Sequence, residues 1–63
     1  MEMTRQEKIV MEQILEGKSN AEISEALSVS VNTIKTHVSR VLRKNNVKNR
    51  VQLISKQINY NKN

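Results

Sequence analysis

The stretch SNAEISEALSVSVNTIKTHVSRVLRK, residues 19–44, decides how this chain folds. Ser19 with Glu22 three residues on is a capping box, in which each side chain accepts a hydrogen bond from the other's backbone amide, so a helix starts at Asn20. Its apolar side is Ile23, Ala26 and Leu27, enough for about two turns. Ser28 and Val29 make a tight connection, and Ser30 caps a longer helix over 31–44. At about 100° per residue, Val31, Ile34, Val38, Val41 and Leu42 gather on one side of that helix. Asn32, Lys35, Thr36, Ser39, Arg40 and Arg43 gather on the other.

Working outward, Thr4 with Glu7 is a second capping box, opening a helix over about 4–16 that closes at Gly17, a residue suited to a left-handed cap. Val10, Met11, Ile14 and Leu15 form its apolar face. Beyond residue 44, Asn45 and Asn46 end the third helix, since Asn tolerates the left-handed region. Asn49 with Gln52 predicts a third box and a fourth helix over 49–58 carrying Val51, Leu53, Ile54 and Ile58. The tail 59–63 is polar and expected to fray. With no Pro, one Gly and no persistent alternation, the expectation is a single all-α domain over 1–63 with four helices.

A chain of 63 residues buries only roughly 60% of its unfolded surface, so association with a partner is expected to add stability. There is no Cys to supply a disulfide or thiolate metal site. No apolar run approaches the ~18 residues a membrane span needs, and Met1 to Lys8 do not read as a signal peptide, so a cytoplasmic chain without membrane contact is expected.

The signs of charge are segregated. Residues 1–27 hold three basic and six acidic groups, net −3, whereas residues 28–63 hold eight basic and none acidic, net +8. A basic half facing a polyanion is the footprint of nucleic-acid binding, because cations that neutralise phosphates release condensed counterions.

A short helix, a tight turn and a longer helix with a basic face make the helix-turn-helix pattern, whose second helix enters the major groove. Lys and Arg donate there to guanine, Asn pairs with adenine, and a Thr methyl touches the thymine methyl. Asn32, Lys35, Thr36, Ser39 and Arg40 are therefore the candidate base contacts. A merely solvated face would mix both signs of charge, and this one has no carboxylate.

Taken in order, Thr4 and Glu7, then Gly17-Lys18-Ser19-Asn20-Ala21-Glu22-Ile23, then Ser30, Thr33-Ile34-Lys35-Thr36-His37-Val38, and finally Lys44 with Val47-Lys48-Asn49-Arg50, the chain resembles the LuxR and GerE type of bacterial transcription regulators. The resemblance runs from Met3 to about Ile54. It implies a four-helix fold, the third helix in the major groove, and a fourth helix able to form a homodimer contact. It also implies that Lys35, Thr36 and Ser39 face bases, with Asn20, Thr33, Lys44 and Arg50 nearer the phosphates. Three positions depart from the family pattern: Gln6, Asn45-Asn46 and Ser39, the last of which bears on operator sequence.

The phosphate-contacting candidates are Lys18, Asn20, Ser30, Thr33, Arg43, Lys44, Asn49 and Arg50. Lys44 has an alternative role complementing the dipole of its own helix, and Asn20 has the alternative reading of a plain N-terminal helix residue. Arg50 sits at a helix N-terminus, where a cation is disfavoured unless an anion is bound. His37, the single histidine, reads as a packed, hydrogen-bonded helix residue and not as a metal ligand or pH switch. The chain has no Asp for a Ser-His-Asp arrangement and no Gly-rich phosphate loop, so neither catalysis nor a cofactor is expected.

Val51, Ile54 and Ile58 form one stripe on the fourth helix while Leu53 points elsewhere, so one set faces the core and the other a second subunit. All four are dimer-interface candidates. Two rival readings stand beside the DNA-binding regulator: an adapter module binding RNA polymerase or another regulator, and a sigma-like promoter-reading domain. The start at Met1 and the polar tail point to a free-standing regulator over an excised effector domain.

Overall fold

The computed structural model describes residues 2–61, with the side chains of 2–58. Its helices are α1 (Arg5–Leu15), α2 (Asn20–Leu27), α3 (Val31–Lys44) and α4 (Arg50–Asn61). Local chemistry sets where they start. The Thr4 amide donates to Glu7 Oε1 at 2.8 Å and the Glu7 amide to Thr4 Oγ1 at 3.1 Å; Ser19 and Glu22 repeat the exchange at 2.8 and 3.2 Å. Ser30 Oγ accepts from the Thr33 amide at 3.1 Å. The third box forms only in part. Asn49 Oδ1 accepts from the Gln52 amide at 2.9 Å, but Gln52 Oε1 reaches back one residue further, accepting from the Lys48 amide at 2.7 Å.

The first three helices stop in one way. Gly17, Ser28 and Asn46 have φ of 85°, 56° and 58°. Each of these turns back so that its amide and the next one return to carbonyls of the last helical turn. Gly17 and Lys18 donate to Ile14 and Gln13 at 2.9 and 3.2 Å, Ser28 and Val29 to Glu25 and Ser24 at 3.3 and 3.0 Å, and Asn46 and Val47 to Arg43 and Leu42 at 3.1 and 3.0 Å. This paired return satisfies carbonyls a helix end would otherwise orphan. Asn45 adds its Nδ2, which donates to Val41 O at 2.8 Å.

The buried core is Val10 and Ile14 of α1, Ile23 of α2, Ile34, Val38 and Val41 of α3, and Leu53 of α4. α1 and α2 pack on α3, and α4 packs on α1. Four expectations are corrected. Ala26 is exposed and Ser24 is buried in its place, its Oγ donating to Ala21 O at 2.8 Å. Ile23 and Leu27 orient this helix, and the single methyl of Ala26 adds too little apolar area to turn it further. Val31 lies at the rim of the α3 apolar arc and is 38% exposed. Leu53 is 1% exposed and belongs to the core of this chain, so it leaves the set of dimer-interface candidates. α4 continues past Ile58 to Asn61, because backbone hydrogen bonding outlasts the apolar signal from which its end was read; Lys62 and Asn63 of the expected tail lie outside the described residues. Among those residues no helix is long and apolar enough to cross a membrane.

Candidate nucleic-acid interface

α3 is held by its apolar side, which leaves Asn32, Thr33, Lys35, Thr36, Ser39, Arg40 and Arg43 exposed together. The five candidate base contacts thus share one surface. No carboxylate lies on α3 or after it in the chain, so Lys35, Arg40 and Arg43 have no acidic neighbour on their own helix. Three hydroxyl groups are committed locally: Thr36 Oγ1 donates to Asn32 O at 3.2 Å, and Ser30 Oγ lies 3.0 Å from Thr33 Oγ1. Val31, at the first position of α3, adds an exposed apolar group to the rim of this face. Its place at the edge of the apolar arc leaves its exposure to be decided by packing.

His37 is half-buried on the opposite flank, and its Nδ1 is buried with no hydrogen-bond partner. The expected hydrogen-bonded histidine is corrected in that respect. Among the described residues no three His, Cys, Asp or Glu converge as a metal site.

The phosphate candidates divide by what already holds them. Ser30, Thr33, Arg43 and Asn49 are exposed near helix ends. Lys18 Nζ donates to Gln13 Oε1 at 2.8 Å and lies 3.4 Å from Glu16 Oε1, an exposed pair of little energetic weight. Lys44 is taken. Its Nζ sits 2.6 Å from Glu7 Oε1, with the two side chains 18% and 3% exposed, so it is removed from the groups free to meet a phosphate. Glu7 lies 37 residues away in the chain, so neither the phosphate role nor the dipole role of Lys44 points to it. The Lys44 hydrogen bond, followed by that of the Thr4 amide, lowers the Glu7 pKa from 4.5 to about 2. The amide and hydroxyl of Ser19 similarly lower the pKa of Glu22.

Arg50 and Asn20 are brought together. One terminal nitrogen of the guanidinium donates to Lys18 O at 3.2 Å and the other to Asn20 Oδ1. Both acceptors are neutral oxygens.

Comparison with known proteins places this architecture. The family model described as "Bacterial regulatory proteins, luxR family" matches residues 1–57. An uncharacterized transcriptional regulatory protein of Bacillus subtilis, YhcZ, is 47% identical over 62 residues, covering 98% of this chain and 29% of that protein. The glycerol metabolism activator of Pseudomonas putida is 46% identical over 52 residues, covering 82% and 24%. The transcriptional regulatory protein DegU of Brevibacillus brevis is 43% identical over 56 residues, covering 89% and 24%. The chain therefore spans less than a third of the length of these relatives.

Proposed function

This chain belongs to the luxR family of bacterial regulatory proteins, and on that premise we propose that it binds double-stranded DNA as a transcription regulator, with α3 in the major groove. The observation that carries the reading is the exposed, carboxylate-free face of α3, where Lys35, Arg40 and Arg43 stand among Asn32, Thr36 and Ser39. A helix fits the major groove, and these groups match base edges and backbone there. Asn32, Lys35, Thr36, Ser39 and Arg40 meet bases. Ser30, Thr33, Arg43, Asn49 and Lys18 approach phosphates. The function is binding, with no chemical step and no cofactor, in the cytoplasm where a bacterial chromosome lies.

The protein acts as a homodimer through α4. Val51 is 69% and Ile58 is 59% exposed, with Ile54 half-buried between them, a stripe that a two-fold mate would cover. Two copies of α3 then meet half-sites about one helical turn, roughly 34 Å, apart.

The experiment is fluorescence-anisotropy titration against random-sequence duplex DNA at two salt concentrations. Roughly micromolar binding that weakens steeply with salt is expected. Absence of binding at low salt would overturn the reading and favour an adapter that meets RNA polymerase or another regulator through the α4 stripe.

A further inference from the structure

α4 is anchored sparsely. Leu53 is its one fully buried side chain among the described residues, and its chief packing partner is α1. A helix held at one fully buried position can rock about it unless something fixes its ends. Two polar ties restrain it. Near the middle, Lys56 Nζ donates to Asn45 O at 2.6 Å, but that residue is exposed. At the start, the half-buried Arg50 makes two hydrogen bonds, to Lys18 O and Asn20 Oδ1, reaching across 32 and 30 residues to the turn that opens α2. The planar fork of a guanidinium fixes direction as well as distance, which an ammonium does not.

From this geometry we infer that Arg50 is a positioning residue that sets the angle between α4 and the α2–α3 pair, making the dimer selective for one spacing of DNA half-sites. The inference rests on the dimeric DNA-binding reading given above. Its physical content is a lever. Changing half-site spacing by one base pair shifts the second site by about 3.4 Å and rotates it by about 34°. A dimer whose α4 is locked to the reading unit cannot follow that change, whereas one whose α4 rocks can. In this role Arg50 commits one donor from each terminal nitrogen inside the protein, and the inference assigns it to positioning and not to a phosphate contact.

The test uses duplexes bearing two copies of a half-site selected by the wild-type chain, at the selected spacing and at one base pair more or less. Arg50→Met, Arg50→Lys and Asn20→Ala are compared with wild type, and a cooperative thermal transition is checked for each. The wild type is expected to prefer its selected spacing by at least tenfold. Arg50→Met should flatten that preference to within about threefold. Asn20→Ala, which removes one acceptor and no charge, should flatten it in part, and it carries the test if Arg50→Met does not fold. Arg50→Lys, which keeps the charge without the fork, should behave as Arg50→Met. On random-sequence DNA the salt slope of Arg50→Met should stay within half a unit of wild type. A slope lower by about one, the value for a lost phosphate contact, with spacing preference intact, would overturn the inference. A wild type that binds DNA with no spacing preference would also overturn it while leaving DNA binding itself in place. A wild type that binds no DNA would instead remove the underlying reading.

Discussion

Glu7 Oε1 and Lys44 Nζ lie 2.6 Å apart, joining the first turn of α1 to the last turn of α3. The same Glu7 oxygen accepts the Thr4 amide, so one carboxylate both caps its own helix and pins a second. Its folded pKa is lowered to about 2, and its stabilisation is therefore complete above the ordinary value of 4.5 and lost as pH falls from there through about 2. Thermal unfolding followed by circular dichroism should show this fall in wild type and a flatter profile in Glu7→Gln. The double variant Glu7→Gln, Lys44→Met should be less destabilised than the two single losses combined, because each single change strands a buried partner.

Leu53 and its neighbours on α4 separate monomer stability from association. Leu53→Ala should destabilise the folded chain by about 2–5 kcal/mol, the cost of emptying a packed site. Val51→Ser and Ile58→Ser remove exposed side chains and, at protein concentrations where wild type is also monomeric, should leave unfolding within about 0.5 kcal/mol of wild type. Sedimentation equilibrium should show those two variants shifted towards monomer; an unshifted dimer would remove the α4 stripe from the interface.

On DNA, Lys35 and Arg43 should fail in different ways. Lys35→Ala should cost about 1–3 kcal/mol on the selected operator and relax preference at one base pair. Arg43→Ala should weaken binding to all sequences alike and lower the salt slope by about one. Titrations of both variants against selected and random duplexes at several salt concentrations separate the outcomes.

The Thr36 hydroxyl donates to Asn32 O, which favours its methyl as the group offered to a base. Thr36→Val should therefore bind the selected operator within about twofold of wild type. Thr36→Ser should lose about fourfold, the worth of one buried methyl, and the loss should vanish on a duplex with uracil in place of thymine. Retention by Ser with loss by Val would assign the contact to the hydroxyl.

Much of the fold was legible because its signals are local. Thr4 with Glu7 and Ser19 with Glu22 announce helix starts within four residues, and Gly17 and Asn46 announce ends by their tolerance of positive φ. Ser28 carries no residue-type signal for its φ of 56°; it adopts that conformation because its amide and that of Val29 both close onto α2. The reading face of α3 was legible for the same reason, since a helical period alone separates Lys35 and Arg40 from Ile34 and Val41. Its rim was not. Val31 falls at the boundary angle, and only the packing of the other helices determines how much of it is covered.

By itself, then, the sequence determined four helices, their caps, a polarised charge and one outward basic face, because each is set within a few residues or by a single helical period. The tertiary structure alone decided which cations are engaged inside the chain. Lys44 answers Glu7 and Arg50 answers Lys18 and Asn20 across 30 residues or more, and Leu53, not Val51 or Ile58, fills the core. Such pairings depend on how helices cross in space, and a residue's own neighbours in the chain carry no record of the partner that folding will bring to it.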